Sequence, residues 1–404
     1  MIKAYGNVID SYDKYKSFLF GGEGRMQPAV DDEISPINLS PTLFSQAETM
    51  HDKIDTWTPP AGLKVIQVAG WGLDTVASFQ YYPKYECTTP DTGTGKCGYV
   101  LDEKPIFTSD GDKVVVEPSA MYMNIDKVWL ELTKTKEEHK NILEVPQLEN
   151  FISSLIENQN PTYDSVLTQT QPIDTSNRLR ISIHSPVTIG AYDRSGNFTG
   201  KVCPDTSDFC YTQEDIPNSS YLEFGEGKYL NLPENGLQRI DLQGTDTGTF
   251  TFDFQKVAPD GTSQTQSFVD IPVTTQTQAE ITLNQTGTPQ LALDVTGDGK
   301  TDFTLTPSAT FDPITYLQIM RTTIDSLDLT PAKIKVFDTR VDNIIKSIQK
   351  GKIDKAKLKS DKFETVLKNK LAKPDPKKPK LKKLSKTDAQ TLLDMLNTLL
   401  DNLS

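Results

Sequence analysis

The sequence predicts a multidomain chain: an α/β segment, an all-β sandwich and an α-helical module, in that order. Three observations predict it. Strand-like and helix-like patterns mix over residues 1–160. Residues 173–309 are rich in Thr, Gly, Asp and Gln and carry short alternating segments. Apolar residues recur at helical spacing over 310–404. A polar Thr/Gln/Pro stretch, 161–172, reads as the linker between the first two regions. At 404 residues, two to four domains are expected. The 36% hydrophobic content allows packed cores, and no run approaches the ~18 apolar residues of a membrane-spanning helix.

In the first region, Leu63-Lys-Val-Ile-Gln-Val-Ala69 is a mostly apolar run ended by Gly70. It reads as a buried strand of the parallel type. Lys127-Val-Trp-Leu-Glu-Leu132 is a second strand, and Pro146 to Ile156 keeps helical spacing through Leu148, Phe151, Ile152 and Leu155. Strand, loop and helix in this order is the arithmetic of an α/β domain.

In the third region the strands are Leu179–Ile183, Val187–Tyr192, Gly227–Leu232, Leu237–Leu242 and Gly248–Phe254, several of them parted by turns such as Pro259-Asp-Gly. Short strands with alternating faces suggest a β-sandwich. In the last region Thr330 caps a helix that has Pro331 at its first position, with Ile334, Phe337, Val341, Ile344, Ile345 and Ile348 on one face, and Gly351 ends it. A Lys/Pro linker, Pro374 to Pro379, precedes a helix capped by Ser385 with Leu392, Met395, Leu396, Leu399 and Leu403 on one side. A small bundle or a coiled-coil-like pairing module follows from these stripes.

The net charge of −13 conceals an asymmetry. Pro331–Ser404 holds 19 Lys and Arg against 9 Asp and Glu, so the rest of the chain is strongly acidic. An acidic body repels phosphates and argues against nucleic acid as a partner. The basic tail is either a solvated Lys-rich helix or a contact for an acidic cell surface. Cys87 with Cys97, and Cys203 with Cys210, flank short polar turns. Even number and local spacing favour two disulfides and an oxidising, extracytoplasmic setting; four free thiols is the alternative.

Three histidines are available for acid–base chemistry: His51, His139 and His184. His184 sits in a strand-like run and reads as structural. His51 lies in a helical stretch without an obvious partner. His139 follows the strand ending at Leu132 and precedes an amphipathic helix. Upstream, Ser109-Asp-Gly-Asp112 leads into Val114-Val-Val116. Asp-Gly alone would be an ordinary turn.

The ordered set of Val68-Ala-Gly-Trp-Gly-Leu-Asp-Thr75, Gly111-Asp112 with Val114-Val115 and Ser119-Ala120, and His139-Lys-Asn-Ile-Leu143 resembles the C-terminal part of lecithin:cholesterol acyltransferase-like α/β-hydrolases, the lipase and phospholipase type. The resemblance covers about 40% of the chain, residues 1–160. It implies a partial α/β-hydrolase segment, with Asp112 as triad acid, Asp110 as fallback acid and His139 as base. It also implies a lipid-like ester as substrate, met by a lipase, esterase or O-acyltransferase. Ile216 through Phe254 resembles Ig-like modules appended to secreted bacterial proteins, which implies an Ig-like sandwich and an extracellular or cell-surface location.

The sequence departs from the family where it matters most. A G-x-S-x-G elbow should precede the acid, and no such motif occurs. Residues 1–18 also lack the basic-then-apolar layout of a signal peptide. Both facts fit a reading frame that begins inside a longer gene product. The expectation is therefore the acid–base half of a secreted serine hydrolase, inactive by itself. The competing expectation is a non-enzymatic surface or adhesion protein that makes contacts through its sandwich or basic helices. Catalysis needs no cofactor on either reading. Separately, Asp294, Thr296, Asp298 and Asp302, with the Lys300 carbonyl, have the spacing of a calcium loop, although Leu305 replaces the closing glutamate. A plain hairpin turn is the alternative.

Overall fold

The computed structural model describes residues 11–20, 40–88, 96–184, 186–204, 209–283, 287–372 and 384–403. The first ten residues and the Lys/Pro stretch around Pro374 to Pro379 lie outside them. Mixed helices and sheets divide between two units, Met1–Thr175 and Ser176–Ser404.

The first unit opens with helices α1 (Tyr12–Leu19) and α2 (Pro41–Asp55). Glu48 ties them, accepting from the Tyr12 hydroxyl at 2.8 Å and pairing with Lys16 at 2.7 Å. Then come β1 (Ile66–Trp71), β2 (Thr75–Thr88), β3 (Lys96–Thr108), α3 (Glu117–Ala120), β4 (Asp126–Glu131), α4 (Pro146–Ile156) and β5 (Leu167–Thr168). β1 runs parallel to β4, and β5 pairs antiparallel on the far side of β4. Side chains alternate across this small sheet as the pleat requires. Val128 and Leu130 join Leu148 and Phe151 of α4 on one face, while Ala69, Trp71 and Trp129 meet Met121 on the other.

Sequence and structure differ at three places here. β1 starts at Ile66 and runs through Gly70 rather than stopping before it. The stretch 161–172 is not a solvated linker. Asp164 accepts from the backbone of Val166 at 2.7 Å and Leu167 at 2.8 Å, and that turn delivers Leu167 into the core at 1% exposure. Finally, β2 and β3 form a long antiparallel ribbon that the sequence reading missed. The ribbon sets Cys87 opposite Cys97 in register; the side chains of that cysteine pair lie outside the described residues.

The second unit begins with twelve strands. They are β6 (Arg178–His184), β7 (Val187–Asp193), β8 (Phe198–Val202), β9 (Tyr211–Glu214), β10 (Ser220–Phe224), β11 (Gly227–Pro233), β12 (Leu237–Gly244), β13 (Gly248–Val257), β14 (Ser263–Val273), β15 (Gln278–Leu283), β16 (Pro289–Asp294) and β17 (Phe303–Leu305). A five-stranded sheet, β10-β11-β6-β13-β14, faces a seven-stranded sheet, β17-β16-β15-β12-β7-β8-β9. Every pairing in both is antiparallel. Inward-pointing residues of both sheets, among them Ile181, Phe252, Ile240 and Leu291, form one core. Cys203 and Cys210 are joined in a disulfide, the local pairing expected from their spacing.

Helices α5 (Pro313–Ser326), α6 (Pro331–Ile348), α7 (Ile353–Ala372) and α8 (Lys386–Asn402) follow. Each packs on the next, and α8 returns to α5, closing a four-helix bundle. The Asp312 side chain caps α5, and Ser385 with Asp388 forms a capping box on α8. The Tyr316 hydroxyl donates to the Met395 carbonyl at 3.0 Å inside the bundle. The bundle has a core of its own, and one of its residues, Ile319 of α5, is fully buried in the sandwich core.

Asp270 sits where the two parts meet, at a bulge in the β13–β14 pairing, with φ +51°. Burial raises its carboxyl pKa, against the hydrogen bonds from Thr251 and Asn402. Folding therefore disfavours the charged form of this carboxyl. Its contribution is present below the unfolded pKa and is lost as pH rises through the folded one. Asp270→Asn keeps an acceptor and tolerates the left-handed backbone. It is expected to raise Tm at pH 7 and to leave it nearly unchanged at pH 3; an unchanged or lower Tm at pH 7 would contradict this.

Candidate functional site

Asp112 and His139 stand 27 positions apart in the chain and meet because of the parallel pair β1–β4. After Trp71 the chain turns through Gly72, at φ +103°, and sends out the β2–β3 ribbon. The ribbon is clamped at its base. Gly72 donates to the Ser109 carbonyl at 2.9 Å, and Leu73 to that of Gly111 at 3.0 Å. Asp112 thus returns beside the carboxyl end of β1, bridged in parallel to Leu73. His139 follows the carboxyl end of β4 in a short 3-10 turn, and its backbone N–H donates to the Asp112 carbonyl at 3.1 Å. Open α/β sheets gather reactive groups at this end of their strands. Gly70 makes the approach possible, because a Cβ there would lie 2.8 Å from the Asp112 Cβ.

The side chains are set for proton transfer. His139 Nδ1 lies 2.8 Å from Asp112 Oδ2. The other carboxylate oxygen, Oδ1, accepts from Val115 at 2.7 Å and Val114 at 3.1 Å, so the carboxylate cannot swing away. Lys113, in this same turn, holds φ +81°, an uncommon conformation for a residue with a side chain. Asp112 is buried, whereas the His139 side chain is 43% exposed. A buried carboxylate at Nδ1 fixes the tautomer with Nδ1 as donor, leaving Nε2 as the outward acceptor. Among the described residues none bonds to Nε2, and no serine occupies the place of a nucleophile there.

The flanks are braced. Glu138, next to His139, pairs with Lys113 at 2.7 Å and with Lys140. Burial pushes the Glu138 carboxyl up, but the two ammonium groups outweigh it and hold it below its ordinary value. Asp110 is engaged differently, accepting from the Trp71 indole at 2.9 Å. Glu117 does the same for Trp129, again at 2.9 Å, in the interior. These tryptophan–carboxylate bonds were missed from sequence; a buried indole N–H needing an acceptor is the signal that points to them. Val114, two residues after Asp112, and Leu143, four after His139, are exposed apolar side chains, 64% and 67% accessible. The other two histidines sit elsewhere. His51 lies 3.6 Å from Asp55 on α2, and His184 meets the Tyr229 ring edge-on at 6.1 Å.

The five residues of the expected calcium loop do come together, between β16 and β17, but their oxygens face inward onto the loop itself. Asp294 accepts from the backbone of Thr296, Gly297 and Gly299, Asp302 from that of Val295, and Asp298 from both the backbone and the ammonium of Lys300. Gly297 and Gly299 supply the positive φ angles, +71° and +81°. No group of three or more His, Cys, Asp or Glu side chains among the described residues is arranged to hold a metal. As folded, these carboxylates accept hydrogen bonds from the loop's own backbone, as they do in a hairpin turn. Calorimetry is expected to show no heat on calcium addition and no change in Tm; heat with a raised Tm would establish calcium binding.

No family model, no curated protein and no solved structure matches this chain.

Proposed function

We propose that Asp112 and His139 are the acid and base of a serine-hydrolase triad acting on lipid-like esters, in the manner of the lecithin:cholesterol acyltransferase-like enzymes. The observation that carries this reading is the 2.8 Å bond from Nδ1 to a carboxylate locked by two backbone N–H groups. With Nδ1 so engaged, Nε2 takes the proton from an attacking serine hydroxyl as the ester carbonyl is attacked. It then returns that proton to the leaving alkoxide, and in deacylation it serves a water or an acceptor alcohol in the same way. Asp112 orients the ring and stabilises the imidazolium without itself being protonated. The exposed apolar side chains of Val114 and Leu143, close in sequence to the pair, suit an acyl chain.

The serine and the oxyanion donors come, on this proposal, from a polypeptide segment outside these residues. β1 supports that arrangement. It is an edge strand of a parallel pair among the described residues, and parallel sheets are ordinarily built inward from both sides. A strand carrying the nucleophile elbow would pair along β1 and complete the sheet. The test is hydrolysis of p-nitrophenyl esters. Residues 1–404 alone should be inactive, and the chain extended with the coding sequence upstream of Met1 should be active and lose that activity in His139→Ala. Serine-dependent turnover by residues 1–404, or an extended protein indifferent to His139→Ala, would refute the proposal.

The Cys203–Cys210 disulfide favours an extracellular or cell-surface location. The size of the second unit favours one further role, contact with a surface through the sandwich or the lysine-rich helices. Binding of the purified chain to anionic vesicles that weakens with added salt would support the helices as the contacting part.

A further inference from the structure

The outer face of the seven-stranded sheet holds a trough of about 590 Å³. Its floor follows from register. Gly200, Gly190, Asp241, Glu280 and Ala292 stand side by side on five adjacent strands, each pointing away from the core. The two glycines make room for an aromatic ring laid over them, and Ala292 keeps the other side of the floor low. Phe198 leans over the glycine pair, where any Cβ at Gly190 or Gly200 would strike its ring. Phe198 and Tyr192 together make an aromatic wall, their rings 4.9 Å apart. Arg239 lies against Tyr192, 4.2 Å from the ring centroid. The opposite wall carries the amides of Gln243 and Gln278, and Lys300 stands at one end.

Two carboxylates directly opposite one another on neighbouring strands are unfavourable. Here Asp241 and Glu280 share one cation, Arg239, at 3.0 Å and 4.0 Å. This arrangement offsets the repulsion between them. It places a guanidinium, two carboxylates and two amides, all planar groups with paired donors or acceptors, around one depression beside aromatic rings.

The chemistry of the lining narrows the ligand. The central carboxylates repel phosphate and sulfate groups, while Arg239 and Lys300 repel a polycation. A purely apolar ligand would strand the polar groups. A peptide recognised by strand addition needs a free backbone edge, and the floor presents only side chains. What fits is an uncharged molecule rich in hydroxyls, with apolar C–H faces to lie on the aromatic wall. We infer that this trough is a binding site for a neutral oligosaccharide. The inference is independent of the Asp112–His139 pair, which belongs to the other unit.

The experiment is titration calorimetry of the full chain with neutral gluco-, xylo- and N-acetylchito-oligosaccharides, with dextran sulfate as the charged comparison. At least one neutral sugar should bind. Asp241→Asn and Gln278→Ala should each weaken binding about tenfold, the loss expected for a charge-assisted or well-placed hydrogen bond. Phe198→Leu, which keeps an apolar cover over the glycines, provides the second variant and should weaken binding through loss of stacking. Three results would overturn the inference: no heat with any neutral sugar, binding unchanged in all three variants at wild-type Tm, or binding of dextran sulfate alone.

Discussion

Asp112→Asn is expected to lower kcat for ester hydrolysis about 10⁴-fold in a protein carrying the complete triad, the magnitude set by a wrong histidine tautomer. The reason lies in how the carboxylate is held. Oδ1 accepts from the backbone of Val114 and Val115, so an asparagine must keep its carbonyl oxygen there. Its NH₂ group then faces His139 Nδ1, where Oδ2 stood at 2.8 Å. The imidazole can meet that donor only by moving its own proton to Nε2, the atom that must receive the serine proton. Folding should be nearly unaffected, because the backbone bonds survive, and KM should change far less than kcat. A variant retaining more than a tenth of wild-type kcat would show that Asp112 is not the triad acid.

Ile319→Ala should destabilise the second unit by about 2–5 kcal/mol, the range for a large aliphatic residue truncated in a core. Ile319 is the point at which the helical bundle enters the sandwich core. Its loss removes contacts for both parts at once, and α5 cannot close the gap while Tyr316 and Met320 are held in the bundle. Urea unfolding of the wild type is expected to be one transition for residues 176–404. In the variant the midpoint should fall, with the bundle and sandwich signals separating. A midpoint within experimental error of wild type would mean that the two parts are energetically independent.

Much of this arrangement was legible in the sequence, and the exceptions have physical causes. The helix from Pro146 to Ile156 and the starts at Thr330-Pro331 and Ser385 rest on local rules, and the structure has helices at those places, although only Ser385 makes the capping bond and Thr330 makes none through its side chain. The alternation in Leu179–Ile183 and Gly248–Phe254 likewise appears as β6 and β13. The β2–β3 ribbon escaped because Pro83 and Pro105 and many charged residues interrupt any strand pattern there. In a two-stranded ribbon each strand has a free side, so proline is tolerated. Gly70 was read as a stop, but its role is set by Asp112, which is distant in sequence. The stretch 161–172 looked like a linker because Val166 and Leu167 are a brief apolar pair among polar residues, and only their pairing with β4 reveals their burial. At the site, Asp112 and His139 could be named, but neither the backbone clamp on the carboxylate nor the tryptophan–carboxylate bonds leave a periodic trace. The sugar trough was invisible for the same reason. It exists only when five strands are set in register, and no segment of the sequence carries it.

Helix α8 gives the second unit a particular schedule of synthesis. Its residues seal the bundle through the Met395 carbonyl, and Thr391 touches Thr247 of the sandwich, a partner made 144 residues earlier. A nascent chain that has produced all twelve strands and three helices therefore still lacks the piece that covers them. Until α8 has emerged from the ribosome, the apolar faces of α5, α6 and α7 remain open to neighbouring chains, which is the interval in which a chaperone would matter most.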